Sequence, residues 1–144
     1  MNLADTSFLF SLYGNDARTP AAAAWIGGQK TPLAISALSR YELGNALRFA
    51  VFRKVISLAD ATASLAAFES DIKTGHLTIV PCDLGRVVSE AERLSSLHTL
   101  AGGHRAFDIL HVATARVVKA KQLFSFDANQ RKLALATGLG VGPP

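Results

Sequence analysis

At 144 residues with a single cysteine, the chain is long enough to bury one sizeable core without disulfides, which predicts one domain over residues 1–144, a reducing cytoplasmic setting and no thiolate metal site. Fifteen Lys and Arg against eleven Asp and Glu give a formal charge of +4, enough to favour polyanions without by itself defining a nucleic-acid binder. The hydrophobic fraction is 49% and the mean hydropathy +0.25, yet no apolar run is long enough to span a bilayer, so a soluble chain with apolar surface left for a partner is expected, a homodimer being the simplest.

The opening MNLADTSFLFSLYG carries Asp5 and no basic region before its apolar stretch, so it does not read as a signal peptide. Asn2 to Asp5 reads as the first strand. Residues Arg18 to Gln29, with an alanine run and a Gly27-Gly28 stop, read as a helix before a second strand at Leu33 to Ala37. A long helix follows over Ser39 to Lys54, where Tyr41, Leu43, Ala46, Leu47, Ala50 and Val51 recur near the 3.6-residue period. Asp60 to Lys73 is a further helix closed by Gly75, and His76 to Val80 a third strand. Asp83 is placed to cap a helix over Leu84 to Leu100, and the Gly102-Gly103 pair breaks it. Then come a helix over Ala106 to Ala120, a strand over Gln122 to Phe126, a helix over Ala128 to Thr137 and an edge strand at Leu139 to Val141. Short apolar runs alternating with helices predict an α/β architecture, a mainly parallel sheet with helices on both faces. No repeat, low-complexity segment or linker interrupts it.

Seven of the eleven carboxylates (Asp16, Asp60, Glu69, Asp71, Asp83, Glu90 and Glu92) fall where caps or solvated helix faces would put them. The other four, Asp5, Glu42, Asp108 and Asp127, sit among apolar neighbours, where an acid needs a partner or a cation. Asp5 and Asp127 each end a strand and so project from the carboxyl edge of a parallel sheet, where open α/β sheets bind ligands. Glu42 and Asp108 read as first-turn residues of helices that begin at that edge, so all four acids can converge. Close carboxylates repel unless some take up protons or a divalent cation joins them, and an all-oxygen set favours Mg²⁺ or Mn²⁺ over zinc. Each acid also has a plainer reading. Asp5 can cap a helix from Ser7, Glu42 can complete a capping box with Ser39, and Asp127 can cap the helix after it.

Taken together, Asp5-Thr6-Ser7 after the first strand, Tyr41-Glu42-Leu43-Gly44-Asn45-Ala46-Leu47-Arg48, Arg105-Ala106-Phe107-Asp108-Ile109-Leu110-His111-Val112-Ala113 and Phe126-Asp127 resemble the PIN-domain pattern. The nearest branch is the VapC-like toxins of toxin–antitoxin modules, and the resemblance runs from Leu3 to about Val141. It implies a Rossmann-like three-layer αβα sandwich, Mg²⁺- or Mn²⁺-dependent cleavage of single-stranded or looped RNA to 5′-phosphate products, and inhibition by a cognate antitoxin. By position it makes Asp5, Glu42 and Asp108 the core acids and Asp127 the more variable fourth, with Asn129 able to share that work.

Around these acids, Thr6 and Ser7 can offer hydroxyls to Asp5, to water or to phosphate, or serve as junction caps. Asn45 is expected on the face of Glu42, and Arg48 can reach a phosphate, pair with Glu42 or face a partner. His111 is either a hydrogen-bonded core residue or a support for the acids, and Arg105, at a helix start, is placed to meet phosphate. Lys119, Lys121, Arg131 and Lys132 form a later basic cluster, and the apolar helices Tyr41 to Phe52 and Leu58 to Phe68 offer a homodimer face or an antitoxin groove. Trp25 and Tyr13 read as packing residues. Two other classes stay open: a phosphatase or phosphotransferase using Asp5 as nucleophile, and a nucleic-acid-binding or regulatory domain with little catalysis.

Overall fold

Alternation at Leu3 and Ala4 sets the architecture. In the computed structural model, which describes residues 1–144, β1 (Asn2–Ala4) sends these two fully buried side chains to opposite faces. It pairs in parallel with β2 (Leu33–Ile35) on one side and β4 (Gln122–Phe124) on the other. β3 (Leu77–Ile79) extends the sheet beyond β2 and β5 (Gly140–Gly142) beyond β4, giving the order β3-β2-β1-β4-β5, parallel throughout. The expected three-layer sandwich is therefore present, with a sheet wholly rather than mainly parallel.

Seven helices cover it. On one face α1 (Thr6–Tyr13), α2 (Thr19–Gly27), α3 (Ala37–Phe52) and α4 (Leu58–Thr74) pack Phe8, Ala22, Leu43, Leu47 and Phe68 against Ala4, Leu33, Ile35, Leu77 and Phe124. On the other, α5 (Leu84–Gly102), α6 (Ala106–Val117) and α7 (Ala128–Ala136) pack Leu94, Val112, Ala113 and Leu133 against Leu3, Ala34 and Leu123. Strands covered on both faces leave no room for polar side chains, which is why they read as short apolar runs. From β1 the chain builds outward through β2 and β3, then returns by α5 and α6 to place β4 on the far side of β1. The carboxyl ends of β1 and β4 thus form a topological switch point.

Local chemistry explains where the elements begin. Ser36, not a later residue, caps α3 by accepting from the Ser39 amide, so the helix starts earlier than expected and Glu42 lies in its second turn. The Ser39–Glu42 capping box does not form, because the Ser39 hydroxyl is buried and donates to the Ala4 carbonyl. Ser57 and Asp60 form the capping box of α4 instead. α1 was expected only as an alternative role for Asp5, and its eight residues were too few to show a helical period. The stops at Gly75 and Gly103 hold as expected, at φ 82° and 62°.

One ion-pair cluster ties α5 to α6. Glu90 accepts from both Nε and Nη2 of Arg93 at 2.8 Å and from Arg116 across the helix pair. The Arg93 hydrogen bonds, reinforced by Arg116, outweigh partial burial and hold the Glu90 carboxyl down at about 2. A folded value below the unfolded one stabilises the protein above about pH 4.5, and that contribution is lost as pH falls toward 2. Glu90→Gln should therefore cost about 1–2 kcal/mol at pH 7, and the gap between the urea midpoints of parent and variant should narrow below about pH 4.5 and close only as pH approaches about 2; a gap unchanged with pH would refute the linkage.

Candidate active site

Asp5 directly follows β1, and its amide still donates to the Phe124 carbonyl at 3.0 Å, so the sheet fixes its backbone. The carboxylate is 2% exposed and caps α1, Oδ1 accepting from the Phe8 amide at 2.9 Å. Ser7 Oγ lies 2.9 Å from both carboxylate oxygens, and Ser125 Oγ donates to Oδ2 at 2.8 Å. Burial nonetheless dominates and raises the Asp5 pKa, against the field of His111 and the hydrogen bonds from Phe8, Ser125 and Ser7.

Glu42 points from α3 toward α1 and α6, where its Oε2 accepts from the Thr6 hydroxyl and lies 2.6 Å from His111 Nε2. Partial burial pushes its carboxyl up, but hydrogen bonds from His111 and Thr6 and the charges of His111 and Arg105 prevail, holding it below the usual carboxylate range. His111 is itself 2% exposed, with Nε2 also 3.3 Å from Thr6 Oγ and Nδ1 buried without a partner. Both readings of His111 hold together: it is a core residue, and it anchors a carboxylate.

Asp108 lies in the first turn of α6, as expected, while Asp127 caps α7 by accepting from the Gln130 amide at 2.8 Å. Arg105 joins them, with Nε 3.1 Å from Asp108 Oδ2 and Nη2 3.1 Å from Asp127 Oδ2. The hydrogen bond to Asp108 leads the raising of the Arg105 pKa, so the guanidinium stays charged, and its side chain is 75% exposed.

These four acids line a single cavity of about 330 Å³ at the switch point, together with Thr6, Ser7, Arg105 and His111. Two expected supporting residues lie elsewhere. Asn45 is exposed and off the cavity wall, and Ala46 lines it instead, because the i+4 position is offset from Glu42 by about 40° and i+3 by about 60°. Arg48 lies between α3 and α4 beside Val51, Leu58 and Leu65, away from the acids. Asn129 ties α7 to the α5 cap by donating to the Gly103 carbonyl at 3.3 Å, and does not line the cavity.

Three residues of the site escaped the sequence reading. Ser125 is wholly buried, and its Oγ also accepts from the Asp127 amide at 3.0 Å, so one hydroxyl links two of the acids. A lone serine inside Leu123-Phe124-Ser125-Phe126 was the signal. Asp16, assigned to a solvated position, lines the cavity with its carboxylate held by Ser11 Oγ and the Arg18 amide, each at 2.8 Å. Arg18 stands beside it with its guanidinium 5.4 Å from the centre of the Phe126 ring.

No three acidic, histidine or cysteine side chains form a ready cage for one ion. The donor set still fits a hard divalent cation, since Mg²⁺ commonly keeps several waters and is held by only one or two carboxylates. The wall already accommodates positive charge, in the form of Arg105.

A PIN-domain family model matches residues 3–135. Among solved structures, the chain is similar to VapC20 of Mycobacterium tuberculosis, a toxin that cleaves the sarcin–ricin loop, at 18% identity and a TM-score of 0.69, with 100% of each chain covered. It is similar to PAE2754 of Pyrobaculum aerophilum at 21% identity and a TM-score of 0.65, over 97% of this chain and 89% of that one. FitAcB of Neisseria gonorrhoeae aligns at 15% identity and a TM-score of 0.66, over 100% and 98%. No curated protein sequence matches the chain.

Proposed function

Because the chain belongs to the PIN-domain family, we propose that it is a Mg²⁺- or Mn²⁺-dependent endoribonuclease acting as the toxin of a toxin–antitoxin module. The observation that carries this reading is the convergence of Asp5, Glu42, Asp108 and Asp127 on one cavity at the sheet's switch point. The likeness of its fold to VapC20 agrees with it.

Asp5 and Asp108 would hold the cation, with Glu42 and Asp127 beside them. A divalent ion there would supply a Lewis acid for a phosphate oxygen and would lower the pKa of water. Ser7, Ser125 and the Phe8 amide keep the Asp5 carboxylate in one orientation. Glu42, kept ionised by His111 and Thr6, is suited to orient the attacking water and take its proton. Arg105 and Arg18, both on the cavity wall, are suited to draw in the phosphodiester. Water then attacks phosphorus in line, the bond to the 3′ oxygen breaks, and the products are a 3′-hydroxyl and a 5′-phosphate.

The phosphotransferase alternative is less well supported, because both oxygens of Asp5 are already engaged by hydroxyls and an amide, a poor state for a nucleophile. A partner is supported by the exposed apolar run at the end of α3 and the start of α4, where Phe49, Phe52, Val55 and Leu58 are 53%, 78%, 67% and 70% exposed. We assign that surface to a cognate antitoxin or a second copy of the chain. No helix is long and apolar enough to cross a membrane. The test is cleavage of a looped RNA with Mn²⁺ or with chelator: products bearing 5′-phosphate only with the metal are expected, and RNA bound but never cut would favour the regulatory alternative.

A further inference from the structure

Apart from the acids of the nuclease cavity, four cationic side chains gather around a second cavity. This one, of about 700 Å³, lies between the first turns of α5 and the end of α6, lined by Arg86, Arg93, Arg116 and Lys119 with Asp83 and Glu90. It shares no residue with the acidic cavity.

Its cations are prepared for an anion. Glu90 fixes the guanidinium groups of Arg93 and Arg116 side by side, and Arg116 is further anchored through Nη1 to the Thr137 carbonyl. Asp83 is occupied as the N-cap of α5, accepting from the Arg86 amide at 3.1 Å. Arg86 and Lys119 enter no ion pair at all, so the cavity keeps a positive surplus. The N-terminus of the 19-residue α5 adds its dipole at the same place.

Its position relative to the acids is fixed by two helices. α6 carries Asp108 in its first turn and Arg116 in its last, eight residues or about 12 Å apart. α7 runs alongside from Asp127 at its cap to Thr137, which Arg116 holds. At roughly 3.4 Å per stacked nucleotide, three to four nucleotides bridge that distance. We propose that this cavity is a second anchoring site for the phosphodiester backbone of the RNA whose scissile bond lies in the acidic cavity. The proposal rests on the ribonuclease reading and extends it from a cutting site to a two-point grip.

The grip predicts a dependence on RNA length and salt. Binding of a fluorescent 20-nucleotide oligouridylate and of a 2-nucleotide one, too short to bridge the two cavities, is measured in chelator, for the parent protein and for the R86A/K119A variant. The 20-mer should bind the variant about 10-fold more weakly, with the slope of log K against log salt reduced by about 1.4, the value for two phosphate contacts on a single strand. The dinucleotide should bind both proteins alike. Equal 20-mer affinity and equal slope in parent and variant would overturn the anchoring site while leaving the ribonuclease reading intact. Failure of the parent to bind the 20-mer would also overturn the anchoring site, whereas the ribonuclease reading falls only if Mn²⁺ brings no cleavage. Polyglutamate binding the parent as tightly as the RNA, and lost in the variant, would reassign the cavity to an acidic protein segment and overturn the proposal.

Discussion

Asp108→Asn removes RNA cleavage, by at least about 10³-fold, and leaves the protein folded. Asp5→Asn removes it as completely, yet the two variants separate in stability. Asp108 touches only the exposed Arg105 guanidinium among charged groups, and such a pair contributes little, so its loss should move the melting temperature by no more than a degree or two. Asp5 is different because burial has raised its carboxyl pKa, which means the folded protein favours the uncharged form. A raised folded value contributes stability at low pH that is lost as pH rises through it. Asn is permanently uncharged and still able to cap α1. In chelator, Asp5→Asn should therefore melt at the parental temperature or above at pH 7, with the advantage shrinking toward pH 4. Asp5→Ala, which loses the cap and strands Ser7 and Ser125, should melt below both. Parental cleavage by a nuclease-free preparation of either Asn variant would remove that acid from the catalytic set.

The fold was legible because each strand is a short apolar run bounded by a cap or a glycine, and the alternation of Leu3 with Ala4 already implies two covered faces. The site was legible in part for the same reason. Asp5 and Asp127 end strands, and strand order alone brings their carboxyl ends together once β4 pairs with β1. The plain and the chemical readings turned out not to compete: both residues cap a helix and both line the cavity.

What stayed hidden depended on register and on long-range partners. Glu42 moved from the first turn of α3 to the second because Ser36, three residues before the expected start at Ser39, took the cap. The same angular arithmetic put Ala46 rather than Asn45 on the wall. Ser125 acts across 120 residues of sequence on Asp5, and no local pattern reports such a bond. Asp16 sits in the turn after α1, a place where an acid usually serves the backbone. Here it does that and also faces the cavity.

Adding Mn²⁺ to chelator-treated protein should raise its melting temperature by about 5–10 °C at saturation, the stabilisation expected when ligand exceeds its dissociation constant about 100-fold. The reason is that four carboxylates line one cavity and the chain supplies few charges against them. Arg105 serves Asp108 and Asp127, and His111 serves Glu42, but Asp5 is bonded only by hydroxyls and an amide and feels His111 only at a distance. A bound cation replaces this incomplete compensation, favours the ionised form of Asp5, and competes with Arg105 for two carboxylates. Arg105→Ala should consequently enlarge the Mn²⁺-induced shift, since the apo variant begins with more uncompensated repulsion. Asp108→Asn should lose most of it, and Asp127→Asn should lose less if the fourth acid acts through water. The measurement reads binding rather than turnover, so it separates a failed cation site from a failed choice of RNA. A shift of the same size in Asp108→Asn as in the parent would place the cation elsewhere on the molecule.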